Sequence, residues 1–174
     1  MITKLMIDRV IQNPLNLSSN GERPMERIKV VVRYAHGKML KGFTIDFFPN
    51  KDRFHVTPMD KPLDKPIEVM INQLKAVFVV RDFKGVPQYV ERGGYREGEN
   101  PYGLLLEVTF ADGEVLVGSC MSFDLKRQGF FISPTDPKSN NLRVFVVCSV
   151  LKRIRQLLQK TGEYIEVPIP GRKK

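Results

Sequence analysis

Residues 32–42 read VRYAHGKMLKG, and residues 108–118 read VTFADGEVLVG. The alignment continues without a gap to Pro58 and Pro134, and eight of its 27 positions are identical. The identical residues are Val, Ala, Gly, Leu, Phe and Pro, the types that form small cores and tight turns. An internal repeat decides the fold, because each copy forms the same structural unit. The offset of 76 residues therefore predicts two small units in tandem, packed together because each alone buries little core.

Each copy carries the pattern of five short β-strands. The first copy predicts strands, rich in β-branched residues or alternating in polarity, over 28–34, 39–48, 53–57, 67–71 and 74–80. The second copy repeats this plan over 104–110, 114–123, 129–133 and 143–148. With one residue inserted, Leu151 aligns with Leu74 and begins a fifth strand, although Leu151, Ile154 and Leu157 also share one face of a helix. We predict strand at first and helix beyond about Arg155.

These elements set the predicted domain organisation. Five short strands with a bent second strand favour closure into a small barrel, because closure removes exposed edges. The fold class is mainly β, with two tandem five-stranded barrels, a short N-terminal helix and a C-terminal helix. The expected boundaries are a helix and tether over 1–25, a first barrel over 26–82, a linker over 83–103, a second barrel over 104–156 and a basic extension over 157–174.

Composition narrows the classes of partner and location. The net charge of +9 and the pI near 9.7 favour association with phosphates or anionic surfaces. No apolar run is long enough to span a bilayer, and the N-terminus lacks the pattern of a secretory signal, so we expect a cytoplasmic protein. Cys120 and Cys148 are expected as reduced, buried thiols, and their spacing from His36 and His55 does not fit a zinc site. We expect no cofactor and no metal, and association between copies through barrel edges remains open.

The order of residues in each copy resembles the first signature of the Sm and Sm-like RNA-binding proteins. The second copy shows this order as Val108, Asp112-Gly113, Gly118 and Phe123-Asp124, and the first copy as Val32, Gly37, Gly42 and Phe47. The resemblance implies SH3-like barrels. The Asn with which the family holds a nucleobase has no counterpart after Asp124, and the second, Arg-Gly signature is absent from both copies. The family's base pocket is therefore not expected in either copy.

A second resemblance covers most of residues 28–155. The chain looks like members of an uncharacterised bacterial family of tandem small barrels. The stretches that carry this likeness are residues 32–37, 46–50, 74–82 and 139–147. This resemblance implies a fold and no known chemistry.

Basic residues occupy equivalent loops of the two copies and predict a surface that follows phosphates. The candidate residues are Lys51, Arg53, Lys126, Arg127, Lys152, Arg153 and Arg155. The alternative is that these are ordinary solvated turns. A composite surface requires that the two basic loops lie on one face of the molecule.

Two short motifs offer a different ligand. The segment that begins at Arg92 and ends at Arg96 places two guanidinium groups four residues apart, a spacing suited to phosphate. Together with Asn16, Ser18 and Gly21 it resembles the two halves of the cyclic-di-GMP site of PilZ domains, in the reverse order along the chain.

The sequence thus predicts a non-enzymatic binding or regulatory adaptor protein. Neither His36 nor His55 stands in an evident catalytic motif, and there is no Gly-rich phosphate loop. Nucleic acid is the first candidate ligand because the loops are basic. The alternatives are a protein partner without a nucleic-acid role, and cyclic-di-GMP.

Overall fold

The computed structural model describes residues 26–85, 88–90, 92–94, 102–159 and 161–171. The helix expected within residues 2–12 lies outside these ranges. Within them the regular structure consists of β-strands and two single turns of 3₁₀-helix. The prediction of a mainly β fold is confirmed.

Eleven strands follow one another within the described residues. Their bounds are β1 Ile28–Tyr34, β2 Met39–Thr44, β3 Arg53–Pro58, β4 Ile67–Met70, β5 Leu74–Val80, β6 Leu104–Phe110, β7 Val115–Cys120, β8 Gly129–Pro134, β9 Asn141–Val147, β10 Leu151–Leu157 and β11 Tyr164–Glu166. The 3₁₀ turns, Ile71–Gln73 and Cys148–Val150, come directly before β5 and β10. The two sequence copies therefore form the same order of elements.

All eleven strands belong to one antiparallel sheet, in the order β11-β10-β6-β7-β8-β9-β5-β1-β2-β3-β4. Five consecutive positions in this order come from each copy, and β9 of the second copy pairs with β5 of the first. The two separately closed barrels of the prediction are not confirmed, because the described strands pair as one open sheet with β4 and β11 at its edges.

The helix predicted beyond Arg155 is wrong over the end of β10. Residues Arg155, Gln156 and Leu157 pair with β6 on one side and with β11 on the other. Backbone groups on both sides of the segment are therefore used in a sheet. Helical spacing of Leu and Ile gives only a weak local preference, which tertiary pairing readily overrides.

A β-bulge recurs at the same point of both copies. Leu74 pairs with Tyr34 and Ala76 with Arg33, so Lys75 is the extra residue in β5. In β10 the extra residue is Lys152, since Leu151 pairs with Phe110 and Arg153 with Thr109. A bulge re-aims the side chain of its extra residue, and the two lysines have different surroundings. Lys75 is buried, and Lys152 is exposed.

Glycine is required at an equivalent position of the two copies. A Cβ on Gly42 would lie 2.2 Å from the carbonyl oxygen of Thr57, and one on Gly118 would lie 2.3 Å from that of Ser133. The second and third strands of each copy therefore cross too closely for any side chain. This contact accounts for the glycine that the repeat retains at each bent second strand.

Two hydrophobic cores lie along the sheet, and they share two strands. In β5, Leu74 and Val77 pack into the core of the first copy, whereas Ala76, Phe78 and Val80 pack into the core of the second. In β9, Val144 and Val146 belong to the core of the second copy, whereas Phe145 and Val147 complete the first. Both strands are consequently buried on both faces, and the two copies interlock.

An ionic cluster joins the copies beside these strands. The Lys75 ammonium contacts the carboxylates of Asp112 and Glu114, the latter at 2.5 Å, and lies 4.6 Å from the centre of the Phe110 ring. Arg33 donates to both carboxylate oxygens of Glu114, at 2.7 and 2.9 Å. The Lys75 side chain is only 6% exposed, so these carboxylates take the place of water around the ammonium.

Candidate functional site

The two basic loops of the copies meet. Residues 45–52 connect β2 to β3, and residues 121–128 connect β7 to β8. The side-chain amide of Gln128 donates to the carbonyl oxygen of Pro49 at 2.8 Å, and also to that of Lys51. These contacts place the two loops side by side, which is what a binding surface composed of both loops requires. We call the pair the joined loops.

Phenylalanines at equivalent positions hold the joined loops on the cores. The Phe47 ring makes edge contacts with Phe54 of its own copy and with Phe131 and Phe145 of the other, at centroid distances of 4.7, 6.1 and 5.4 Å. Phe123 packs on Phe130 of its own copy with the two rings tilted by 37°, at a centroid distance of 5.3 Å. Because Phe47 touches both copies, the position of its loop depends on how the copies pack.

Four of the predicted basic residues lie at the joined loops, and two of them have acidic neighbours. Arg53 contacts Asp52 at 3.2 Å and Glu68 at 3.3 Å. Hydrogen bonding between Arg53 and Asp52 raises the pKa of the guanidinium and lowers that of the carboxyl. Arg127, with 79% of its side chain exposed, lies 3.8 Å from Asp124. The remaining two, Lys51 and Lys126, are exposed.

Apolar side chains stand among these charges. Phe48 is 52% exposed, and Ile45 and Met121, which are equivalent in the two copies, are 46% and 67% exposed. Removing a large apolar side chain from water lowers the free energy, so these side chains favour a partner that covers them. The joined loops thus present cations, carboxylates and one exposed aromatic ring on a fixed backbone.

An Asp–His pair lies beside the first loop. Asp46 accepts hydrogen bonds from the backbone amide of His55 at 2.9 Å and from the hydroxyl of Thr44 at 3.1 Å, and its other oxygen is 2.7 Å from His55 Nδ1. Burial raises the pKa of Asp46, but the bonds from His55 and Thr44 outweigh burial, so the net pKa lies below its ordinary value. The carboxylate orients the His55 ring and ties the loop to β3. This pair was not anticipated from the sequence.

The other three predicted basic residues lie on β10, outside the joined loops. Arg155 donates to the Glu107 carboxylate at 2.5 and 2.8 Å, and Arg153 approaches the same group at 3.6 Å. Arg155 also lies 4.5 Å from the centre of the Tyr164 ring. Lys152 is exposed at the bulge. The two arginines therefore form a structural ion cluster on the strand.

Arg92, the one described residue of the cyclic-di-GMP hypothesis, holds the linker against Thr135 and Asp136. Its guanidinium donates to the carbonyl oxygen of Thr135 at 2.6 Å, and its backbone amide donates to Asp136 at 3.1 Å. Bonds from the Tyr89 hydroxyl and the Arg92 amide hold the pKa of Asp136 at about 2. The other residues of this hypothesis, Arg96, Asn16, Ser18 and Gly21, lie outside the described residues.

Within the described ranges there is no group of three or more His, Cys, Asp or Glu that could hold a metal ion. Cys120 and Cys148 are both free thiols; Cys120 is buried as expected, whereas Cys148 is only half-buried. Burial raises the pKa of each, that of Cys148 to about 11. No helix in the same part of the chain is long and apolar enough to cross a membrane.

Comparison with known proteins gives a family and no activity. The model of a family described as "Family of unknown function (DUF6982)" matches residues 26–158, more than half of the chain. No curated protein and no solved structure matches the chain.

Proposed function

Since the chain belongs to DUF6982, a family of unknown function, we propose its function from the joined loops: a non-enzymatic binding protein that takes a single-stranded nucleic acid on this surface. The observation that carries the proposal is the bond from Gln128 to the first loop, which makes one surface of two basic loops. Cations on both sides of the contact can then bind successive phosphates of one strand.

The exposed Phe48 ring supports a single strand rather than a duplex. Unstacked bases have free faces, and stacking on an aromatic side chain contributes about 1–3 kcal/mol per base in proteins of this kind. Phe48 lies in the same loop as Lys51, with the backbone amide of Lys51 bonded to the carbonyl oxygen of Phe48 at 3.0 Å. A base on the ring and a phosphate on the ammonium are thus neighbouring contacts.

We also propose that each copy behaves as a barrel-like unit. The support is the strand order within each copy, β5-β1-β2-β3-β4 and β10-β6-β7-β8-β9, together with one core per copy. The scaffold would then hold the loops at the same end of both units. The Asp46–His55 pair has an orienting role in this proposal and no catalytic one.

The test is a titration of fluorescent single-stranded RNA at two salt concentrations, with two triple variants. The loop variant is Lys51→Ala, Lys126→Ala and Arg127→Ala. The control variant is Lys61→Ala, Lys65→Ala and Lys84→Ala, which removes the same charge from exposed positions outside the joined loops. Lys61 and Lys65 follow the far end of β3, roughly 17 Å along the strand from Arg53.

We expect the loop variant to lose at least about tenfold in affinity at low salt and the control to lose less. The slope of log affinity against log salt should fall by about 2 in the loop variant, since each single-strand phosphate contact contributes about 0.7. Phe48→Ala should weaken binding without changing this slope. Absence of binding at low salt, indifference to salt, or equal losses in the two triple variants would reject the proposal.

A protein partner is the second candidate, and the acidic neighbours of the loop cations favour it. Asp52, Glu68 and Asp124 offset much of the positive charge, and mixed charge around an exposed aromatic ring is typical of protein interfaces. If the ligand is a protein, Phe48→Ala should abolish binding of that protein to the chain. The control Lys61→Ala with Lys65→Ala should leave this binding unchanged. RNA binding would be absent from the same preparations.

A further inference from the structure

The contact between the two copies shows which side chains a strand needs in order to pair with a further copy. Strand β9 lies antiparallel to β5, with Phe78 opposite Val144 and Ala76 opposite Val146. If the same arrangement were repeated between two chains, β10 of one chain would receive β4 of the next. The residues that make the internal contact can therefore be compared, position by position, with those at the two ends of the sheet.

The outer face of β10 does not match that of β5. Arg153 and Arg155 stand at the positions equivalent to Ala76 and Phe78, which are buried in the core of the second copy. A second chain on β10 would bring apolar side chains onto these guanidinium groups and separate them from water. Glu107 is one carboxylate shared by two guanidinium groups, so it compensates only one of the two charges; burying the other costs several kcal/mol, and this end disfavours another copy.

The first hairpin carries basic residues where the second hairpin carries acids. Inside the chain, Lys75 of the first copy meets Asp112 and Glu114 of the second. At the ends, Lys152 takes the place of Lys75, whereas the hairpin positions equivalent to the two acids are His36 and Lys38. A head-to-tail contact would set lysine against lysine, and like charges across an interface disfavour it.

Strand β11 occupies the remaining edge of β10. It pairs with Arg155, Gln156 and Leu157, and the backbone amide of Val167 donates to the carbonyl oxygen of Ile154 at 2.9 Å. The Tyr164 ring lies over the Arg155 guanidinium. β11 thus covers backbone groups of β10 that are equivalent to those with which β5 pairs with β9.

The other end of the sheet is shortened. Strand β4 has four residues, against seven in β9, and Pro66 stands directly before it. The position equivalent to Pro66 in the second copy is Arg143, which pairs with Val79. Proline cannot donate a ladder hydrogen bond and is a common means of blunting an edge strand.

From these four observations we infer that the chain terminates its own sheet. The internal contact joins two copies and does not propagate: β11 caps one end, and the arginines on β10 and the basic first hairpin prevent a second chain from replacing it. The native protein has the mass of one chain. This inference is independent of what the joined loops bind.

The test combines the native chain with two full-length variants. The donor variant, Ile165→Pro, Val167→Pro, Arg153→Ala and Arg155→Phe, releases β11 and gives β10 the residues of β5. The acceptor variant, His36→Asp, Lys38→Glu and Pro66→Arg, gives the first hairpin the acids of the second and restores before β4 the arginine that stands at the equivalent position of β9. Light scattering measures the molar mass of each protein and of the mixture, from micromolar to millimolar concentration, and thermal melts establish that each is folded.

The native chain and the acceptor variant should each remain at 20.0 kDa. The mixture should form a one-to-one complex of twice that mass, with the donor variant binding the native chain at least about tenfold more weakly than the acceptor. A native mass above one chain overturns the inference. So does a mixture of two folded variants that shows no association. If the donor variant does not fold, the mass of the native chain decides by itself.

Discussion

Removing the two acids opposite Lys75 should destabilise the protein far more than removing Lys75 itself. Asp112→Asn with Glu114→Gln keeps the shapes of the side chains and deletes both negative charges. The Lys75 side chain, 6% exposed, is then left as a buried cation against the Phe110 ring. Lys75→Met instead leaves two carboxylates that are 55% and 40% exposed, and water can solvate both.

The burial of the three groups sets the magnitudes. Leaving one partner of a buried ion pair uncompensated costs about 3–5 kcal/mol. Because the acids are half exposed, water already weakens the pair, and we expect about 2–3 kcal/mol for the double variant. At roughly 2–4 °C per kcal/mol, the melting temperature should fall by roughly 5–10 °C. Lys75→Met should cost under about 1 kcal/mol, since an apolar residue of similar volume often replaces a buried ion without loss.

Urea unfolding followed by circular dichroism measures these differences, provided that the m value is unchanged. The triple variant, with Lys75→Met added to the two acid substitutions, should recover to within about 1 kcal/mol of the native chain. Asp124→Asn is the matched control, because its pair with Arg127 is exposed, and it should cost under about 0.5 kcal/mol. Equal costs for the acid and lysine variants, or a triple variant no better than the double, would refute this reasoning.

Three further predictions follow from the packing. Gly42→Ala should destabilise the protein by about 1–3 kcal/mol in urea unfolding, because a Cβ would lie 2.2 Å from a backbone carbonyl oxygen, whereas Gly37→Ala should show only the cost of its positive φ of 93°, about 1 kcal/mol. The pKa of Asp136 is about 2 in the folded chain against an ordinary 3.8. The ionised carboxyl therefore contributes its full stabilisation above its ordinary pKa, and this stabilisation is lost as pH falls toward 2. Asp136→Asn should flatten this dependence of stability on acid pH and speed proteolysis of the linker. Alkylation of Cys120 and Cys148 at mildly alkaline pH should be at least about tenfold slower in the native protein than in urea, since burial raises both pKa values; equal rates would contradict the burial of these thiols.

The local parts of the fold could be predicted from the sequence. Alternating side chains and turn glycines set the strands and hairpins, as in β6 and β7 joined by Asp112-Gly113. The alignment of Leu151 with Leu74 also located the start of β10. The pairing of β9 with β5 is different, since it joins segments far apart in sequence. Its signal was Leu74–Val80 itself, which is apolar on both faces, as strands buried on both sides are.

The candidate site could be predicted only as equivalent basic loops. That the loops touch depends on the reach of Gln128, a residue without a distinctive motif. The predicted phosphate role of Arg153 and Arg155 rests on their charge alone, whereas in the structure both contact Glu107, the one acid of a mostly apolar strand. An acid at such a position indicates a cross-strand cationic partner. The Asp46–His55 pair required the path of the loop, which repeat positions do not give.

The sharing of β5 and β9 has a consequence for synthesis on the ribosome. The core of the first copy is completed by Phe145 and Val147, which emerge only after β6, β7 and β8 have been made. Domains generally fold as units in the order of synthesis, but this first half waits for a strand near the end of the chain. A nascent chain halted after Val80 would expose the apolar face of β5, including Phe78, and would depend on chaperones until β9 arrives. The shared strands therefore make the chain one folding unit, although its sequence consists of two copies of one repeat.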